Sequence, residues 1–190
     1  DAPASVTAKN HPKDDSMGTR AVPLSEELWI DRSDFEETPP KGFKRLVPGG
    51  EVRLRNAYVI RCDAVIKDAN GVATELRCSV DAETLGKNPE GRKVKGVIHW
   101  VPAETAVNAE VRLYDRLFTV PQPGTSGRDV RDDLNPDSLR VIRDAKLEPS
   151  LGAAKPGDRF QFEREGYFVA DPDSLPERPV LNRTVTLRDT

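Results

Sequence analysis

The stretch Lys41 to Cys62, KGFKRLVPGGEVRLRNAYVIRC, decides how the rest of the chain is read. From Val52 the even positions run Val52, Leu54, Asn56, Tyr58, Ile60, Cys62, and the odd ones Arg53, Arg55, Ala57, Val59, Arg61. Successive side chains of a strand point to opposite faces, so the run reads as one continuous strand with an apolar face buried and arginines outward. Lys44 and Arg45 add two cations before Pro48-Gly49-Gly50, residue types that turn a chain between strands. A fixed row of cations results. Arginine pairs bidentately with phosphate and guanine edges and stacks on bases, so such a row suits single-stranded RNA, against the plainer reading of a solvated outer face.

The whole chain sets the limits. Its 190 residues suffice for one or two domains with real cores. A net charge of -3 argues against unspecific coating of nucleic acid and for one shaped target met by a local basic patch. No run of 18 apolar residues and no signal-like start appears, so neither membrane nor export is expected. The abrupt beginning at Asp1 suggests a fragment. Cys62 and Cys78 flank the turn signal Asp68-Ala69-Asn70-Gly71; a three-residue loop at 69–71 sets them opposite each other, a spacing that would allow a disulfide, and two reduced core thiols are the preferred reading.

Further strands are read at Val22–Ile30, Val72–Val80, Lys93–Val101, Asn108–Val120, Arg159–Ala170 and Val180–Leu187. Asp31 is placed to cap a short helical turn, and 125–138 reads as a charged loop. Short strands with 16 Pro and 13 Gly predict an all-β fold, two small β-barrels with a few short helical turns. Trp100, Tyr114 and Phe118 are read as core, Arg61 and Arg77 as solvated or cross-strand paired, and Phe160 and Phe162 as barrel packing or pocket wall. Catalytic constellations are missing: His11 and His99 stand in no metal-binding spacing, no phosphate loop occurs, and adjacent carboxylates such as Glu26-Glu27 read as solvated charge.

Six runs carry a resemblance: MGTRAVPLSEELWIDRSDF from Met17, KRLVPGGEVRLRNAYVI from Lys44, GRKVKGVIHWV from Gly91, VRLYDRLF from Val111, FQFEREGYF from Phe160 and NRTVTLRD from Asn182. In this order they resemble the C-terminal anticodon-binding region of the bacterial glutaminyl-tRNA synthetases, from about Asn10 to Asp189. The resemblance implies paired β-barrels: residues 1–22 a leading segment serving the proximal barrel, 23–105 the distal barrel, 106–190 the proximal one. It implies that Lys44 and Arg45 hold the third anticodon base, that Arg53 and Arg55 meet the first, and that Gln161, Glu163 and Arg164 enclose the central uridine.

It further implies a cytoplasmic, monomeric parent protein that joins glutamine to its tRNA with ATP and Mg, and a catalytic domain of the same polypeptide as partner. No cofactor and no catalytic residue is expected in this chain, which lacks the family's catalytic signatures. The chain departs from the family at Lys13, where the family has Asn, and at Gly42, where some relatives carry Gln. Two other readings compete: a barrel protein that binds 5S ribosomal RNA, and a scaffold for protein contacts.

Overall fold

The computed structural model describes residues 4–187 and divides into two compact units, the first ending at Thr105 and the second beginning at Ala106. Both are built of strands, and the helical elements among the described residues are single 3-10 turns. The all-β expectation therefore holds. Among the described residues the strands pair into four sheets, with isolated bridges such as Phe35 to Leu46 outside them.

In the first unit, β1 (Ser5–Lys9) and β2 (Thr19–Pro23) form a hairpin whose inward side chains Val6, Ala8 and Val22 join this unit's core. β3 (Leu28–Ile30) follows β2 after a break, so the expected strand over 22–30 is two strands. The Asp31 carboxylate then accepts the Ser33 N–H at 2.7 Å and starts a 3-10 turn over Arg32–Asp34, as its position predicts.

The decisive stretch is a hairpin rather than one strand. β4 (Glu51–Leu54) turns at 55–57 and pairs antiparallel with β5 (Val59–Lys67), setting Val52 opposite Ile60 and Arg53 opposite Val59. Asn56 takes the left-handed backbone at φ 59°, which asparagine tolerates better than most residues, and the Ala57 N–H donates to the Leu54 carbonyl. β6 (Ala73–Asp81) returns beside β5 after the 69–71 loop, with two register shifts that cancel and leave Cys62 opposite Cys78. Both thiols are free, but only Cys62 is buried; Cys78 is exposed, against the expectation of two core thiols. It lies opposite Cys62 on the edge strand β6, whose residues 77–80 are all exposed, so the outer margin of the sheet leaves it in water. Desolvation of the thiol, with Cys62 and Asp63 close by, still pushes the Cys78 pKa up to about 12.

β7 (Val97–Ile98) runs parallel to β4, and β8 (Trp100–Pro102) pairs with β3. The expected strand at 93–101 is thus confined to its C-terminal half. Leu46, Val52, Leu54, Ile98 and Trp100 fill the core these elements enclose.

In the second unit β9 (Val107–Tyr114), β10 (Leu139–Leu147), β11 (Arg159–Phe162), β12 (Gly166–Ala170) and β13 (Val180–Val185) form one sheet in the order β10-β9-β13-β12-β11. The predicted strand 159–170 is again a hairpin, turning at 163–165. Phe162 stacks on Phe168 with centroids 4.3 Å apart, and Phe160 packs on the same core. Tyr114, read as core, is exposed at the end of β9, and Phe118 is half-buried in an isolated bridge to Leu134. The charged segment 125–138 contains two 3-10 turns held by buried Asp133, whose carboxylate pairs with Arg128 at 2.8 Å and accepts the Gly124 N–H at 2.9 Å.

The parallel pairing of β9 with β13 is flanked by an ion-pair network. Glu110 lies 2.8 Å from Arg112, 3.6 Å from Arg143 and 3.8 Å from Arg178, and Arg112 reaches Asp173 at 3.1 Å. The hydrogen bond from Arg112 and the nearby cations hold the Glu110 carboxyl below its ordinary value.

Leu46 is fully buried, and its backbone bonds to Asp34 and Glu36, so Leu46→Ala should lower the unfolding free energy by about 2–5 kcal/mol in a urea titration. A group with a lowered folded pKa stabilises above the ordinary carboxylate range and loses that contribution as pH falls through its folded value. The melting temperature should therefore drop more steeply below about pH 4 for the parent chain than for Glu110→Gln, which has no carboxyl to titrate.

Candidate nucleic-acid interface

The predicted site residues divide between the units, and each group is built separately. In the first unit, Lys44 and Arg45 lie on the loop before β4. The buried Asp34 carboxylate stands 3.4 Å from the Arg45 guanidinium, which also donates to the Ser33 carbonyl at 3.1 Å and lies 6.0 Å from the Phe43 ring centre. A side chain anchored along one edge and one-third exposed keeps other N–H groups for a ligand at little further entropic cost. Lys44 beside it is exposed.

Both residues line an open groove of about 560 Å³ whose other walls include Arg61, Lys93 and Lys95. The walls meet at Gly96: a Cβ there would stand 1.9 Å from the Lys44 carbonyl oxygen, so only glycine permits the approach. Lys93 and Lys95 read in the sequence as part of a strand rather than as site candidates. Their pairing in the Gly91–Val101 run was the available signal.

Arg53 departs from the expected outward row. Its guanidinium donates to the Ala57 carbonyl at 3.0 Å, to the Thr84 carbonyl at 2.9 Å and to the Lys87 carbonyl, bracing the β4–β5 turn against the 3-10 turn at Ala82–Thr84. Buried Thr84 completes the brace by accepting the Val59 N–H at 2.8 Å. Arg55, by contrast, is exposed in the turn itself. Its backbone is held twice: its N–H donates to the Ile98 carbonyl at 3.0 Å, and its carbonyl accepts the indole N–H of buried Trp100 at 2.9 Å. Arg61, exposed, lies 3.8 Å from Asp63, and exposed Arg77 pairs with Glu75 at 3.0 Å along its own strand.

In the second unit, Gln161 is exposed on edge strand β11, opposite Tyr167, which is 45% exposed. Glu163 and Arg164 form the adjoining turn and are half-buried, Arg164 at φ 64°. An amide, an aromatic face and a carboxylate–guanidinium turn thus adjoin on one hairpin. Tyr167 does not stand out in the sequence, because its exposure depends on which face of β12 the sheet covers. Among the described residues, Asn56 and Arg164 are the non-glycine positions with positive φ, and each sits in a hairpin turn that carries site candidates. No cluster of three metal-ligating side chains occurs among the described residues, and no helix there is long and apolar enough to cross a membrane.

A β-rich chain that fixes arginine, lysine and amide groups on tight turns is built like an RNA-reading module. Family models described as "tRNA synthetases class I (E and Q), anti-codon binding domain" match residues 1–81 and 97–171, and the chain belongs to this family. It is 65% identical over 183 residues to the glutamine–tRNA ligase of Pseudomonas aeruginosa LESB58, covering 95% of this chain and 33% of that protein. It is 66% identical to that of Pseudomonas putida KT2440, over 95% of this chain and 32% of the relative, and 61% identical to that of Azotobacter vinelandii DJ, over 98% and 34%. The chain spans about a third of the length of these curated relatives.

The two arginines of the β4–β5 hairpin should separate in experiment. Arg53→Ala leaves three backbone carbonyls without their donor and is expected to lower stability by about 1–3 kcal/mol in denaturant titration, whereas Arg55→Ala, at an exposed side chain, should lower it less.

Proposed function

We propose that this chain is the anticodon-reading part of a glutamine–tRNA ligase, and that its partners are the tRNA for glutamine and a catalytic domain of the same polypeptide. The observation that carries the proposal is the match to the anticodon-binding family models over 1–81 and 97–171, at an identity above 60% to ligases of that name. In the complete protein, ATP and Mg would serve the catalytic domain, and this chain would contribute recognition alone. The parent is a cytoplasmic monomer in this reading. Nothing among the family models or these relatives supports a ribosomal 5S RNA-binding protein.

Recognition proceeds by unstacking the anticodon and accepting its bases one by one. Arg45, pre-aligned by Asp34 and Ser33, offers its remaining N–H groups to the O6 and N7 acceptors of a guanine at the third position, with Lys44 adding charge beside it. Arg55 meets the first base from the turn that Arg53 braces, so the two arginines serve that position in different ways. Gln161 can match both the donor and the acceptor on the Watson-Crick edge of uracil, with Glu163 and Arg164 enclosing it and the Tyr167 ring offering a stacking face. In the parent enzyme, correct docking of all three bases would favour the productive arrangement of the distant acceptor end.

Filter binding of the complete ligase carrying Arg45→Ala tests this reading. Affinity for the glutamine tRNA should fall by about 1–3 kcal/mol, with a much smaller loss for a variant tRNA whose third anticodon base is not guanine. Equal losses for both would mean that Arg45 touches only the backbone.

A further inference from the structure

The groove beside Lys44 and Arg45 holds cations that base reading does not use. Lys93 and Lys95 are both exposed, and both line this groove. Neither lysine, nor Lys44, forms an ion pair among the described residues. The acids of this region are already engaged: Arg92 holds Glu51 at 2.9 Å and also binds Asp81, while Arg45 faces Asp34. Arg61, on the same groove, meets Asp63 only at 3.8 Å and both are exposed. On a chain whose net charge is -3, positive charge is therefore left uncompensated at one place.

We infer that Lys93 and Lys95, with Arg61, hold phosphodiester groups of the RNA strand that runs through this groove, resting on the anticodon-reading function proposed above. Their role is positional. Lysine is a compact, strongly hydrated charge that attracts phosphate without reading base edges, and Gly96 brings this wall against the Lys44 backbone so that phosphate holding and base reading adjoin. The two lysines contribute sequence-independent affinity, and Arg45 contributes the choice of base.

Salt dependence separates these roles. In the complete ligase, K93A/K95A should weaken binding of the glutamine tRNA and of its third-base variant by the same factor. It should also reduce the slope of log affinity against log salt by about 1.4, at about 0.7 for each single-strand phosphate that is no longer neutralised, over roughly 50–200 mM salt. K93R/K95R should restore the slope, and the melting temperature of all three proteins should coincide, since both side chains are exposed. An unchanged slope, or a weakening confined to one tRNA, overturns the phosphate assignment while leaving the anticodon reading intact. If the unmodified ligase fails to prefer the glutamine tRNA over its third-base variant, the reading on which the inference rests fails first.

Discussion

The close backbone approach at Gly96 is the constraint on which the first unit's recognition surface depends. A Cβ at this position would overlap the Lys44 carbonyl oxygen, so the close approach of the loop before β4 to the segment before β7 requires glycine here. The Gly96 carbonyl in turn accepts the Arg53 N–H, which starts the parallel pairing of β7 with β4. Two basic runs some fifty residues apart in the chain are thereby brought to line one groove. A sheet built from long-range pairings gathers charge that the sequence spreads out.

Burial then sorts cations that look equivalent in sequence. Arg53 loses most of its water and must find acceptors, which the turns at 55–57 and 82–84 supply as carbonyl groups. An arginine so engaged is a structural member, because its guanidinium has five N–H donors and three carbonyls use most of them. Arg45 is partly covered and keeps both an anchor and an exposed edge. Arg55, Lys93 and Lys95 are open to solvent. In the second unit, the Glu110 and Arg112 network performs the structural task, while Gln161 and the turn after it remain at the sheet edge.

The fold class and much of the core, though not Tyr114 or Cys78, are legible because both rest on alternation, which holds whether the chain runs on or turns back. Val52 to Cys62 and Arg159 to Ala170 each read as one strand, yet each is a hairpin. Both turns contain three residues, 55–57 and 163–165, and an odd loop returns the chain with the same parity facing inward. Val52 and Ile60 are therefore buried together, as are Phe160 and Phe168 at least in part, whether the chain runs straight or folds back. The turns were also hidden by composition: neither Arg55-Asn56-Ala57 nor Glu163-Arg164-Glu165 contains proline or glycine, and each relies on one non-glycine residue at positive φ. The Ala69 to Gly71 turn, with its Asn-Gly signal, was legible for the converse reason, and the facing cysteines followed from it.

The amino-acid sequence by itself determined that the chain is β-rich, which side chains are apolar enough to face inward, and, through an ordered set of motifs, its family. Those properties depend on residue identity and on spacing along the chain. Only the tertiary structure decided that Arg53 braces a turn, that Tyr114 and Tyr167 are exposed, and that Lys93 and Lys95 line the same groove as Lys44. The physical reason is that solvent access and ion pairing depend on neighbours brought in from elsewhere in the chain, and no local pattern encodes which carboxylate or carbonyl will arrive beside a given cation.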